Sequence, residues 1–326
     1  MKHNLKITAV IIGMFLITQF IGLYVVNHYF PVRVVIQNGE KIIENVSAPG
    51  LPYGMQTPEI KENQYNSLFP FIVFAFIIAI VIMFILSKLR IEFIMRLWFF
   101  VVVAIALGIS FNVVLTKIQY ASIIALIIAL PLAYFKIYKR NFLVHNLTEL
   151  LIYPGIAAVF VPLLNLTTII ALLILISVYD MWAVWHSGFM QKMAKYQIDN
   201  LKIFGGFFIP YASKKVKEKI KKMKLTMSKS KLQKQKIRIN VAILGGGDVI
   251  FPIIAAGVML KTYGFNPVTL FGTSLLIPLS ALFVTFGAAS GLIFLLLNSE
   301  KKKFYPAMPF ITVGIFLGMA LAYLFL

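Results

Sequence analysis

The sequence predicts an all-α polytopic membrane protein with nine transmembrane helices, and three observations lead there. Of its 326 residues, 60% are hydrophobic and only 13% are charged, with a mean hydropathy of +0.89; a soluble domain is roughly 45 to 50% apolar. The apolar residues fall in runs of about 20, the length an α-helix needs to cross a bilayer. Most of the 31 basic and 11 acidic residues lie in short islands between those runs. A formal charge of +20 would point to nucleic acid on a soluble basic face, but islands between apolar runs read as topology signals, and no nucleic-acid partner is predicted. The chain has no cysteine, which excludes disulfides, thiolate metal sites and a cysteine nucleophile and leaves the redox compartment open.

The expected spans are Ile7 to Val26, Leu68 to Leu86, Ile94 to Leu115, Tyr120 to Phe135, Leu147 to Leu164, Leu166 to Trp185, Ile239 to Leu260, Val268 to Leu297 and Tyr305 to Leu326. Lys2 and Lys6 precede the first run as in a signal peptide, but the run is long and no small-residue cleavage site follows, so it reads as a membrane helix. Lys88, Arg90 and Arg96, then Lys136, Lys139 and Arg140, then Lys192 to Arg238, then Lys301 to Lys303 occupy every second loop. Positive loops stay on the cytoplasmic side, which puts the N-terminus and residues 187–238 in the cytoplasm and the C-terminus outside, in the cell membrane. Residues 1–186 thus carry six helices, 187–238 form a basic cytoplasmic loop, and 239–326 carry three more helices of a single membrane-embedded domain.

Two loops are long enough for structure of their own. Within the extracytoplasmic loop 31–66, Arg33 to Gln37, then Asn38-Gly39, then Glu40 to Glu44 reads as a β-hairpin, because Asn-Gly suits a type I′ turn. It serves as a cover or as a substrate gate. In the basic loop, Val216, Ile220 and Met223 recur at helical spacing among lysines, the pattern of an amphipathic helix on an anionic leaflet or of a solvated linker.

A carboxylate in mid-span costs about 2.5 to 3.5 kcal/mol on insertion scales and marks function by default. Asp180 and Asp248 occupy such positions. Glu149 also falls within a span, but close enough to its cytoplasmic end to reach the interface. At about 1.5 Å per residue, Asp180 lies roughly 9 Å from the cytoplasmic end of span six and Asp248 roughly 14 Å from that of span seven. The two spans are antiparallel, so the carboxylates can face each other at similar depth. If they meet, like charge and poor solvation make them share one proton, leaving one base and one acid. That pair can hydrolyse an amide with no metal or cofactor, by activating water and protonating the leaving nitrogen. The four histidines, His3, His28, His145 and His186, sit near helix ends.

Gly245-Gly246-Gly247 remove side chains on the approach to Asp248, so that another backbone can come close. Pro252 deprives the Asp248 carbonyl of its helical partner, and a kinked, locally open helix is predicted. Such backbone persists in lipid only where it is buried in protein or lines a wet cavity. Tyr305-Pro306-Ala307-Met308-Pro309 predicts an irregular entry to the last span.

Tyr179-Asp180, Gly245-Gly246-Gly247-Asp248 and Pro306-Ala307-Met308, in order on the sixth, seventh and ninth spans, resemble the YD, GxGD and PAL motifs of the presenilin and signal peptide peptidase aspartyl proteases. The nine-span count agrees, and the stretch from Tyr179 to Gly188 looks most like the archaeal branch. The resemblance implies a presenilin-like fold with Asp180 and Asp248 as catalytic dyad. It also implies that Gly245 and Gly247 shape the site and that Pro306 to Met308 position substrate. Family members usually have leucine where this chain has Met308, a flexible residue of similar volume, which implies altered packing or specificity and retained activity. The substrates implied are transmembrane proteins or signal peptides embedded among membrane lipids, unwound locally and able to add as a strand near span nine or the loop after span six. No obligate partner subunit is predicted.

Two other classes compete. Two buried aspartates and a broken Gly-rich helix also suit a proton-coupled transporter or channel, although no inverted repeat is visible. A non-catalytic scaffold that kept the protease fold would carry the same motifs.

Overall fold

A computed structural model describes residues 5–37, 40–45, 49–58, 60–89, 91–139, 141–186, 203, 205–211, 240–270, 273–300 and 305–325. Among these, nine helices are long and apolar enough to cross a membrane: α1 (Leu5–Tyr29), α2 (Tyr65–Lys88), α3 (Glu92–Leu115), α4 (Ala121–Tyr138), α5 (Phe142–Phe160), α6 (Leu166–Met181), α7 (Gly246–Tyr263), α8 (Leu279–Asn298) and α9 (Met308–Phe325). Three antiparallel hairpins join them: β1 (Val32–Gln37) with β2 (Glu40–Asn45), β3 (Gly206–Tyr211) with β4 (Asn240–Gly245), and β5 (Asn266–Leu270) with β6 (Thr273–Ile277). The expected turn Asn38-Gly39 and the basic amphipathic segment around Val216 lie outside the described residues.

The main core is built by α1, α5, α6, α7, α8 and α9, with Phe15, Leu172, Ile253, Val284 and Ile311 among its buried side chains. The α8 and α9 helices meet backbone to backbone. A methyl added at Gly287 would lie 2.2 Å from the Gly314 carbonyl oxygen, and one at Gly318 2.3 Å from that of Phe283. Lipid tails are as apolar as leucine, so helices in a membrane gain by such close approach more than by burying apolar area. A second core joins α3, α4 and α5 through Leu107, Ala129, Ala133 and Ile152. By contrast, α2 buries only Tyr65. The Tyr65 hydroxyl reaches the Pro162 carbonyl (3.3 Å) and takes the Lys261 ammonium (2.6 Å), fixing the start of α2 to the end of α7.

Two predicted boundaries are corrected. Span seven was expected from Ile239, but Asn240 to Gly245 are a strand and α7 begins at Gly246. The apolar run hid a period of two: Val241 and Ile243 are exposed while Ala242 and Leu244 are buried. Span eight was expected from Val268, but the β5–β6 hairpin takes its first part and α8 begins after Pro278. Pro252 lies inside α7, which continues through it as one helix, and the backbone passes from strand to helix before Gly246.

Candidate active site

Asp180 stands in the last turn of α6, followed by a π-helical turn, Trp182–His186. It is buried, and its Oδ2 accepts the Met308 N–H at 3.0 Å; the Ala307 N–H also donates to this carboxylate. The reason is local. The first amides of a helix have no partner within it, and they carry the positive end of its dipole. Pro309, at the second position of α9, has no N–H. An acceptor from α6 therefore satisfies the start of α9. Buried Pro306 and Met308 and partly buried Ala307 are brought to Asp180 by this capping contact. One turn further into the membrane, Ser177 Oγ donates to Thr312 Oγ1 at 2.8 Å and ties the same two helices again.

Asp248 is the third residue of α7, partly exposed, and its carboxylate turns back to accept the N–H of Gly245, the residue that caps the helix. This is half of a capping box. Its depth differs from expectation: roughly 3 Å from the start of α7, because β4 and not helix leads up to it. The two carboxylates nevertheless lie within electrostatic reach of each other. Among the described residues, no three His, Cys, Asp or Glu converge to hold a metal.

The glycines divide their work differently from expectation. A methyl at Gly246 would lie 2.8 Å from Tyr153 Oη, and one at Gly245 would lie 3.0 Å from Asp248 Oδ2. Gly247 is exposed, and a methyl there meets only Phe251, at 3.8 Å. Besides the β3 backbone, whose Gly205 carbonyl accepts the Gly246 N–H at 3.1 Å, what comes close to the motif is a tyrosine side chain and Asp248 itself. Tyr179, beside Asp180, is partly buried with its ring against Trp182.

Sequence reasoning passed over or misplaced several groups near the site. Gln19 of α1 is fully buried, and its Nε2 donates to the Val249 carbonyl at 3.0 Å, one residue past Asp248. A glutamine within the first span was a usable sign, since polar groups in lipid need partners. Glu149 was expected at the interface. It is instead 1% exposed, ion-paired to buried Lys136 of α4, because the α4–α5 pair closes over it. Tyr153 Oη is buried over Gly246 and has no hydrogen-bond partner among the described residues.

The description of one family, "Signal-peptide peptidase, presenilin aspartyl protease", matches residues 44–326. The chain belongs to this family. Two solved structures of a presenilin family intramembrane aspartate protease are similar to it over nearly their whole length. The C222 crystal form has a TM-score of 0.53 at 18% identity, covering 96% of this chain and 99% of the other. The P2 form has a TM-score of 0.56 at 17% identity, covering 97% of each. At such identity the likeness shows the fold: nine membrane-spanning helices in the presenilin arrangement. No match was found among curated proteins. Membership of the presenilin and signal peptide peptidase family, with this fold, supports an integral multi-pass membrane protein that is an intramembrane aspartyl protease.

Proposed function

We propose that Asp180 and Asp248 are the catalytic pair and that they hydrolyse peptide bonds within or near transmembrane segments of membrane proteins or signal peptides. The observation that carries this reading is the convergence of two carboxylates from α6 and α7, within electrostatic reach of each other, at the point where a strand enters a helix. Two carboxylates brought together over a peptide bond would share a single proton, because like charge disfavours ionising both. The ionised carboxylate takes a proton from water as its oxygen bonds to the scissile carbonyl carbon, and the protonated one donates to the carbonyl oxygen. The C–N bond then breaks as a proton passes to the leaving nitrogen. Asp180, held by the amides of Ala307 and Met308, is the less free of the two, so α9 sets its position.

Substrate reaches the pair along β4. Gly206 and Phe208 of β3 point their backbone groups away from β4, toward α5. In an antiparallel pair, the residues opposite them, Gly245 and Ile243, then also face outward, and so does Val241 opposite Pro210, which has no N–H. An unwound substrate segment pairs with this edge as an added strand. The edge ends at Gly245, three residues from Asp248, which brings the paired strand to the carboxylates. Tyr179, Gly247 and the Pro306 to Met308 segment line its path. The basic islands support an N-terminus and residues 187–238 in the cytoplasm and a C-terminus outside the cell membrane.

The test is cleavage of a reporter with one transmembrane segment by purified protein in liposomes made in H₂¹⁸O. The reading predicts an internal cut with one ¹⁸O in the new carboxylate and no covalent acyl-enzyme trapped by added amines. Absence of any internal cut across several reporters would overturn it.

A further inference from the structure

A two-stranded hairpin is marginally stable alone, and its outer edges carry unpaired amides and carbonyls. The outer edge of β3 has been closed by side chains. The Gly206 carbonyl lies 2.8 Å from His145 Nε2, and the Gly206 N–H donates to Glu149 Oε1 at 3.3 Å. The Phe208 N–H donates to Asn146 Oδ1 at 2.9 Å, and its carbonyl accepts from Asn146 Nδ2 at 2.7 Å. Three side chains from the first two turns of α5 thus stand in for a third strand. Their protonation follows from the partners. A carbonyl only accepts, so His145 Nε2 carries a proton; Nδ1 then accepts from the Lys136 ammonium, 3.3 Å away. That ammonium also donates to Glu149 Oε1, so the carboxylate is compensated although the pair is buried.

The same hairpin leads into the site. Gly206 pairs with Gly245, the capping residue of α7 whose N–H the Asp248 carboxylate takes, and the Gly205 carbonyl accepts the Gly246 N–H at 3.1 Å. Tyr153, two helical turns along α5 from His145, fills the space over Gly246. Whatever holds β3 therefore holds the start of α7.

We propose that His145, Asn146 and Glu149, with Lys136 behind them, form an edge clamp that keeps the β3–β4 hairpin folded before substrate arrives. The clamp leaves the outer edge of β4 as the open one and fixes where Asp248 stands. These are positioning residues, acting through the hairpin. The effect on cleavage rests on the proposed proteolytic reading; the effect on the hairpin does not.

Truncating Lys136 or Glu149 alone would strand a buried charge and threaten the fold, so the test uses neutral Asn146. The chain has no cysteine, and Pro210 and Val241, both exposed, face each other across a non-hydrogen-bonded pair whose spacing suits a disulfide. In full-length protein in liposomes without substrate, the P210C/V241C pair is oxidised, and disulfide formation is followed by loss of maleimide labelling. The clamp predicts rapid closure in the otherwise wild-type chain and closure slowed about tenfold by Asn146→Leu. With a reporter, reduced Asn146→Leu should lose about tenfold in kcat with KM little changed, and the closed disulfide should restore kcat to within about twofold of the tethered parent. Equal closure rates in the two backgrounds would overturn the proposal, as would wild-type kcat in reduced Asn146→Leu or a loss that the disulfide leaves unrepaired. If the unmodified wild-type chain itself cuts nothing, the proteolytic reading fails while the closure rates still decide the clamp.

Discussion

At the scale of single residues, the capping role of Asp180 and its proposed catalytic role are separable by substitution. Asp180 caps α9 as an acceptor for the Met308 N–H, and an amide oxygen can do the same. Asp180→Asn is therefore expected to fold like wild type in thermal unfolding yet cut nothing. Asp180→Leu, which leaves that buried amide unpaired, should lose about 1 to 3 kcal/mol. The glycines are separable as well. Gly246→Ala drives a methyl to 2.8 Å from Tyr153 Oη and should cost about 1 to 3 kcal/mol by overpacking. Gly247→Ala, in ordinary contact with Phe251 alone, should unfold within about 0.5 kcal/mol of wild type. A reversed order in a thermal melt would contradict this geometry. Asp180, Asp248 and their glycines were legible in the sequence because a carboxylate in an apolar run stands out. The roles within the glycine triplet were not, since they depend on Tyr153, nearly a hundred residues earlier.

At the scale of elements, helices were legible by length and hydropathy, and strands entering the membrane were not. Asn240 to Leu244 is apolar enough to extend a span, and its alternation of exposed Val241 and Ile243 with buried Ala242 and Leu244 is too short to outweigh the helical length it seemed to complete. Placing that strand moves Asp248 from mid-helix to a helix start, where its carboxylate can hold Gly245 and face Asp180. The motif Pro306-Ala307-Met308 likewise acquires a physical meaning: it ends in amides that need an acceptor, and Asp180 is that acceptor. The α8–α9 pair, which carries this helix start, depends on glycine. A side chain at Gly314 would begin 2.1 Å from the Gly287 carbonyl oxygen, so Gly314→Leu is expected to cost at least about 3 kcal/mol. It should also lower cleavage, because α9 cannot then present Met308 to Asp180; an unchanged melting temperature would refute the backbone contact.

At the scale of the whole molecule, the core of α1 and α5 to α9 carries the two aspartates, while α2 buries only Tyr65, tied to Lys261 at its start, and packs Phe69, Ile72 and Phe76 against the rim of that core. Nine spans and the family were legible from apolar runs and three short motifs. The buried Lys136–Glu149 pair was not, because each group looks interfacial by itself, and the Gln19 contact to Val249 was not, because a lone glutamine in a span does not name a partner 230 residues away. The central claim is that this fold exists to hold two carboxylates over a peptide bond. Its most direct test is cleavage of a single-span reporter in liposomes by wild type, Asp180→Ala and Asp248→Ala, each first checked for the same helical content. The account predicts that wild type cuts and that either substitution alone abolishes the cut; cleavage that survives in either variant would contradict it.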